Sequence, residues 1–102
     1  MTDRVQQLDE EIRRAESARQ VIEHPLFQEA FNTLRAEVVQ QWETSPASDT
    51  EGREKLWLIL KAADRAQAHL VSLMETGKLA AAEKHRLRDR LNPWAETRRG
   101  LL

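Results

Sequence analysis

The segment 84–90, KHRLRDR, is the densest group of basic side chains in the sequence. Four Lys and Arg residues fall within two helical turns, and His85 adds a fifth cation when it is protonated. Clustered Lys and Arg side chains bind phosphates, and an aromatic ring such as that of Trp94 can stack on a base. The pattern predicts contact with an anionic partner. The residues assigned to that contact are Lys84, Arg86, Arg88, Arg90, Arg98 and Arg99.

Charge is distributed unevenly along the chain. Residues 1–77 hold nine Lys/Arg and fourteen Asp/Glu, giving −5, while residues 78–102 hold seven and three, giving +4 and a total of −1. This asymmetry indicates an anionic partner or head-to-tail self-association. A solvated basic helix end is the plain alternative, because cations there complement the helix dipole. The pI near 6.3 weakens the case for nucleic acid, since DNA-binding domains are usually basic throughout.

Residues for metal binding or catalysis do not fall into working patterns. His24, His69 and His85 are far apart, none belongs to a helical His or Glu–His metal pair, and there is no cysteine. No serine lies in a glycine-flanked nucleophile turn, and the Gly77–Lys78 pair lacks the other residues of a phosphate-binding loop. We therefore expect no enzyme activity, no metal and no cofactor.

The apolar run Leu56–Leu60, LWLIL, wraps more than one turn of a helix. A single neighbouring helix cannot cover side chains that point in all directions, so the run predicts burial on two sides. One side would be covered by the rest of the fold and the other by a second subunit. The alternative is that two helices of one monomer flank it. The predicted interface residues are Trp42, Leu56, Trp57, Leu58, Ile59 and Leu60.

Helices must carry all these residues, because the composition favours Ala, Leu, Glu, Arg and Gln over β-branched and aromatic residues. Apolar stripes at spacings of three and four predict helices over 3–23, 25–43 and 50–76, the first with Thr2 as its N-cap. His24–Pro25 predicts a helix break, and TSPASD (44–49) a loop. Ser48 or Asp49 is the expected N-cap of the third helix, with Thr50 as an alternative.

Gly77 has the residue type that ends helices, so a short fourth helix is expected over 78–91. The predicted fold is all-α, an antiparallel helical hairpin or small bundle of three long helices plus this short helix. It forms one domain over 1–91 with a basic tail over 92–102. A chain of 102 residues without disulfides buries little core, which favours a homo-oligomer.

No basic-then-apolar leader is evident and the apolar runs are too short for a membrane span, so a cytoplasmic protein without a membrane partner is expected.

Six short segments of the chain combine capping and packing residues: PLFQEAF (25–31), WET (42–44), DTEGRE (49–54), LW (56–57), AHL (68–70) and ETGKLA (75–80). Together they resemble small helical proteins encoded in tailed phages and prophages. The resemblance covers about residues 20–82 and implies a phage particle or packaging context, in the bacterial host or on the virion. It carries over no catalytic residue.

The leading hypothesis is a non-enzymatic, phage-type structural, assembly or adaptor protein that acts through helix–helix self-association, with a phage protein as a possible partner. The alternative is a nucleic-acid-binding accessory protein, for packaging or regulation, that uses the basic C-terminal segment.

Overall fold

A computed structural model describes residues 2–91, apart from the side chain of Thr2, and shows three helices. These are α1 (Thr2–Glu23), α2 (Pro25–Thr44) and α3 (Thr50–Leu91). Residues 2–91 contain no strand, which confirms the all-α prediction. The predicted tail, with Trp94, Arg98 and Arg99, lies outside the described residues.

The break between α1 and α2 is confirmed at His24. This residue leaves the helical conformation, with φ −67° and ψ 126°, and becomes the N-cap of α2. Its ring nitrogen Nδ1 accepts a hydrogen bond of 3.1 Å from the backbone N–H of Leu26. Pro25 occupies the first helical position, where its missing N–H leaves no bond unmade. α1 and α2 are therefore separate helices.

The loop between α2 and α3 is held by side-chain caps at both ends. The Ser45 hydroxyl donates to the carbonyl oxygen of Trp42 at 2.6 Å, which satisfies one of the last carbonyls of α2. At the start of α3, the Gly52 N–H donates to Asp49 Oδ1 at 3.0 Å. Asp49 is thus the N-cap among the predicted candidates, and its charge also suits the positive end of the helix dipole.

α3 continues through Gly77 without a break, so the predicted helix end and the separate fourth helix over 78–91 are wrong. Gly77 does not take the positive φ of a helix-ending glycine. It is buried, and a β-carbon added to it would overlap the β-carbon of Ala15 and lie 3.3 Å from the carbonyl oxygen of Glu11. The glycine allows α1 and α3 to approach closely instead of ending a helix.

The described residues form two compact units, of which the first is the terminal unit. It holds residues 2–18 and 72–91, where α1 packs on the end of α3. Its buried side chains are Leu8, Ala18 and Ala80. Two ion pairs also join the helices, Arg4 with Glu83 and Lys84 with Asp9.

The central unit is Arg19–Val71, where α2 packs antiparallel on the first part of α3. Trp42 near the end of α2 meets Arg53 near the start of α3, whereas Arg35 bonds Asp64 further along. Val38 is the one apolar side chain of this unit that is buried.

None of the described helices is both long and apolar enough to cross a membrane.

Candidate interaction surface

The apolar run Leu56–Leu60 near the start of α3 is partly buried against α2 and partly exposed. Leu56 and Leu60 are partly buried, because they lie on the side of α3 that faces α2. Trp57, Leu58 and Ile59 are 55%, 53% and 45% exposed. Consecutive helical residues are separated by about 100° around the axis, so the contact with α2 cannot reach all five side chains. The run thus presents a band of exposed apolar surface.

Trp42 extends this surface across to α2. It lines an open apolar groove with Val38 and Val39 of α2 and with Leu56, Trp57 and Leu60 of α3. Four of the six predicted interface residues therefore line the groove, and the other two, Leu58 and Ile59, are exposed on other sides of α3. Val38 and Val39 line the groove as well, although they are not among the predicted interface residues.

Both tryptophans of this groove are contacted by cations. The Arg53 guanidinium lies 4.2 Å from the ring centroid of Trp42. The Lys61 ammonium lies 5.6 Å from that of Trp57. A cation over a ring face is attracted by the ring quadrupole, which favours one orientation of the indole over its other rotamers. The two rings are therefore positioned while remaining 46% and 55% exposed.

A polar cluster adjoins the groove. Arg35 Nη2 donates to Asp64 Oδ1 at 2.5 Å and to Gln67 Oε1 at 3.2 Å. The Arg35 and Asp64 side chains are 40% and 39% exposed, so the pair is half-buried between α2 and α3. Sequence reasoning missed this cluster, because Arg35 and Asp64 stand 29 positions apart. The available signal was helical spacing. Arg35 stands three and four positions before Val38 and Val39, and Asp64 stands four positions after Leu60.

Exposed apolar side chains are concentrated in the central unit. Among the described residues, nine of the eleven large exposed hydrophobic side chains belong to it, and the other two, Leu79 and Leu91, lie in the described part of the terminal unit. Scattered exposed apolar side chains are normal on any protein, so the informative members of this set are Val39, Trp42 and Trp57, which lie together at the groove. The nine are Val21, Leu26, Leu34, Val39, Trp42, Trp57, Leu58, Ile59 and Val71.

Arg98 and Arg99 lie outside the described residues, and the four predicted anionic-partner residues that the structure describes do not form one surface. Lys84 is in an ion pair with Asp9 of α1, at 2.6 Å. Arg86 and Arg90 are exposed and four positions apart, so they share a face of α3, whereas Arg88 lies about 200° around the helix from Arg86. These three arginines make no ion pair with another described residue. Of the four predicted residues that the structure describes, Arg86 and Arg90 are thus the two that share a face without an ion pair.

The three histidines have separate surroundings. His24 caps α2, His85 lies 3.4 Å from Asp89 on the same helix, and His69 is exposed. No cluster of three potential metal ligands occurs among residues 3–91.

These features describe an all-helical protein whose central unit, in which α2 packs on the first part of α3, has an open apolar groove. No protein-family model, curated protein or solved structure matches the chain. The resemblance to phage helical proteins therefore stays a prediction.

Proposed function

We propose that this chain is a non-enzymatic, phage-type structural, assembly or adaptor protein that acts through helix–helix self-association. The observation that supports this most strongly is the open apolar groove, in which Trp42 and Trp57 are 46% and 55% exposed, on a unit that buries only Val38. Two packed helices share a single seam, so they cannot enclose a core. A second layer of helices supplies the missing burial. The phage context rests on the sequence resemblance alone.

The energetics favour covering this groove. Full burial of one large apolar side chain contributes about 1.5–3 kcal/mol, so covering the half-exposed Trp42 and Trp57 contributes about that much in all. The chain has no cysteine and hence no disulfide to stabilise a small core. Association is the remaining common route by which so small a helical unit gains apolar burial.

The test is the molar mass in solution, measured by light scattering after size exclusion at low and at moderate salt. We expect a mass of two or more copies at both salts, because apolar burial is not screened by ions. A monomer at both salts would contradict the proposal.

A matched pair of variants locates the interface. Trp57→Lys places a charge in the groove and should reduce the mass to one copy, whereas Leu79→Lys should leave it unchanged. The two positions are on the same helix and both are exposed, at 55% and 72%, but Leu79 belongs to the terminal unit. An equal loss of mass in both variants would indicate non-specific apolar contact and count against a defined surface.

The second candidate function is a nucleic-acid-binding accessory protein. The observation that favours it is the exposed pair Arg86 and Arg90 on one face of α3. Phosphate contacts need cations that are free of protein partners. Lys84 is less suited to the role because it is paired with Asp9. Binding of this kind weakens steeply as salt is raised, whereas self-association through an apolar surface does not.

A further inference from the structure

One side of the central unit carries a continuous row of side chains on each helix. The row on α2 is Arg35, Val39 and Trp42, at spacings of four and three. The row on α3 is Trp57, Leu60 and Asp64, at spacings of three and four, and such spacings keep each row on one side of its helix. The groove places the apolar ends of the two rows side by side, and the Arg35–Asp64 hydrogen bond joins their polar ends. This pairing face consists of Arg35, Val39 and Trp42 on α2 and Trp57, Leu60 and Asp64 on α3.

We infer that two copies of this chain associate through the pairing face, about a two-fold axis parallel to α2 and α3, with Arg35 of one copy facing Asp64 of the other. The inference rests on the proposed self-association and specifies its geometry. The occupant of the open groove is thus the same groove of a second copy.

Self-complementarity singles out this axis. A two-fold axis along the helices places the α2 of the second copy over α3 of the first at the same height. Tryptophan then meets tryptophan at one end, and the Arg35 cation meets a carboxylate at the other. The alternative is a two-fold axis perpendicular to the helices, at the level of Arg35 and Asp64. It would place Arg35 of one copy against Arg35 of the other, and the apolar ends of the two copies would lie at opposite ends of the dimer. Of the two, only the first arrangement sets groove against groove and Arg35 against Asp64.

The same arrangement makes every helix antiparallel to both of its neighbours. α2 and α3 are already antiparallel within the central unit, and the axis along the helices repeats that relation across the interface. The result is the antiparallel four-helix layout that small bundles use. It also covers the exposed faces of Trp42 and Trp57, which are 46% and 55% exposed in one copy.

Within this layout, Arg35 and Asp64 determine the register. A polar group inside a helical interface contributes little stability but penalises shifted or reversed partners, which would leave its charge unpaired. Within one copy, Arg35 and Asp64 already form an ion pair with each other on the pairing face. Both side chains are half-exposed, so their solvent-facing sides are available to the second copy. The apolar end of the face therefore drives association and the polar end selects its geometry.

Mixing two charge variants tests this directly. Arg35→Asp makes both positions acidic, and Asp64→Arg makes both basic. Each variant alone should dissociate, with a dimer dissociation constant raised about a hundredfold, because like charges face each other across the axis. An equimolar mixture should recover the mass of the wild type as a one-to-one pair, because each interface contact then joins opposite charges. A role confined to one copy would give no recovery on mixing.

The outcomes separate this inference from the function on which it rests. A monomeric wild type overturns both. A wild type that associates, with folded charge variants that fail to recover on mixing, overturns only the two-fold geometry. Circular dichroism establishes that each variant is helical. If a charge variant loses its helices, Arg35→Leu with Asp64→Leu replaces it: we expect association to persist with more than one species, and a single species of wild-type mass would contradict the register role.

Discussion

Gly77 of α3 lies directly against Ala15 of α1, with no space between them for even a methyl group. A β-carbon on the glycine would overlap that of Ala15, and Gly77 itself is buried. Two residues with minimal side chains thus set the distance between α1 and α3 in the terminal unit. Close approach of this kind gains many weak dispersion contacts along the two helices, which offsets the low helix propensity of glycine.

Gly77→Ala should destabilise the protein, although the same change in an exposed helix stabilises it by about 1 kcal/mol. The added methyl group forces α1 away or strains the backbone, at a cost of about 1–3 kcal/mol for an overpacked site. Urea unfolding followed by circular dichroism measures the difference.

Thr76→Ala is the matched control, because Thr76 is the exposed neighbour of Gly77 on the same helix. It should leave stability unchanged or raise it slightly. Ala15→Gly combined with Gly77→Ala should recover much of the loss, since the pair again contains one methyl group. A Gly77→Ala protein more stable than the wild type would refute the close-packing role.

The helices show what local sequence can predict. The break at His24 and the cap at Asp49 follow from a few adjacent residues, and both are as expected. Gly77 is different, because a glycine suits a helix end and a close helix contact equally well. The deciding neighbour, Ala15, is distant in the chain and only the fold brings it near. Long-range packing therefore overrode a sound local signal.

Asp49→Ala should lower the free energy of unfolding by about 1 kcal/mol, because the Gly52 N–H loses its acceptor at the start of α3. Asp49→Asn, which retains an acceptor oxygen, should lose less than that. Ser48→Ala is the control for the other predicted cap and should have little effect. Thermal or urea unfolding of the three variants checks the order; a larger loss at Ser48 than at Asp49 would contradict the cap assignment.

Leu60→Asp should abolish assembly and reduce helix content. Leu60 is partly buried between α2 and α3 at the base of the groove, where apolar side chains surround it and a carboxylate would lose its hydration. Ala62→Asp introduces the same charge two residues away at an exposed position and should preserve both properties. Molar mass and circular dichroism are the measurements. If Leu60→Asp leaves mass and helix content intact, the assignment of this residue to the seam is wrong.

The interaction surface was predictable only in its apolar part. Five consecutive apolar residues must expose some of their number on any two-helix scaffold, and Trp57, Leu58 and Ile59 are the ones exposed. The polar cluster depends on the register of α2 against α3, which sequence patterns do not contain. The basic segment shows the opposite case: adjacent cations in the sequence point around the whole helix, and Asp9 of another helix neutralises one of them.

If nucleic-acid binding is the function, Arg86 and Arg90 should carry it. Arg86→Gln with Arg90→Gln should weaken binding to a short DNA duplex and lower the slope of log affinity against log salt by about two, because each phosphate contact releases counterions. Lys84→Gln is the matched control and should have a smaller effect, since Asp9 already holds that ammonium. Fluorescence anisotropy over a salt series measures the affinity and its salt slope, and light scattering measures the molar mass of the same variants.

Loss of DNA affinity with unchanged self-association would assign the two functions to different parts of the chain, because the arginines belong to the terminal unit and the groove to the central one. Affinity that is absent in the wild type, or equal in all three proteins, would leave self-association as the function that the exposed surface serves.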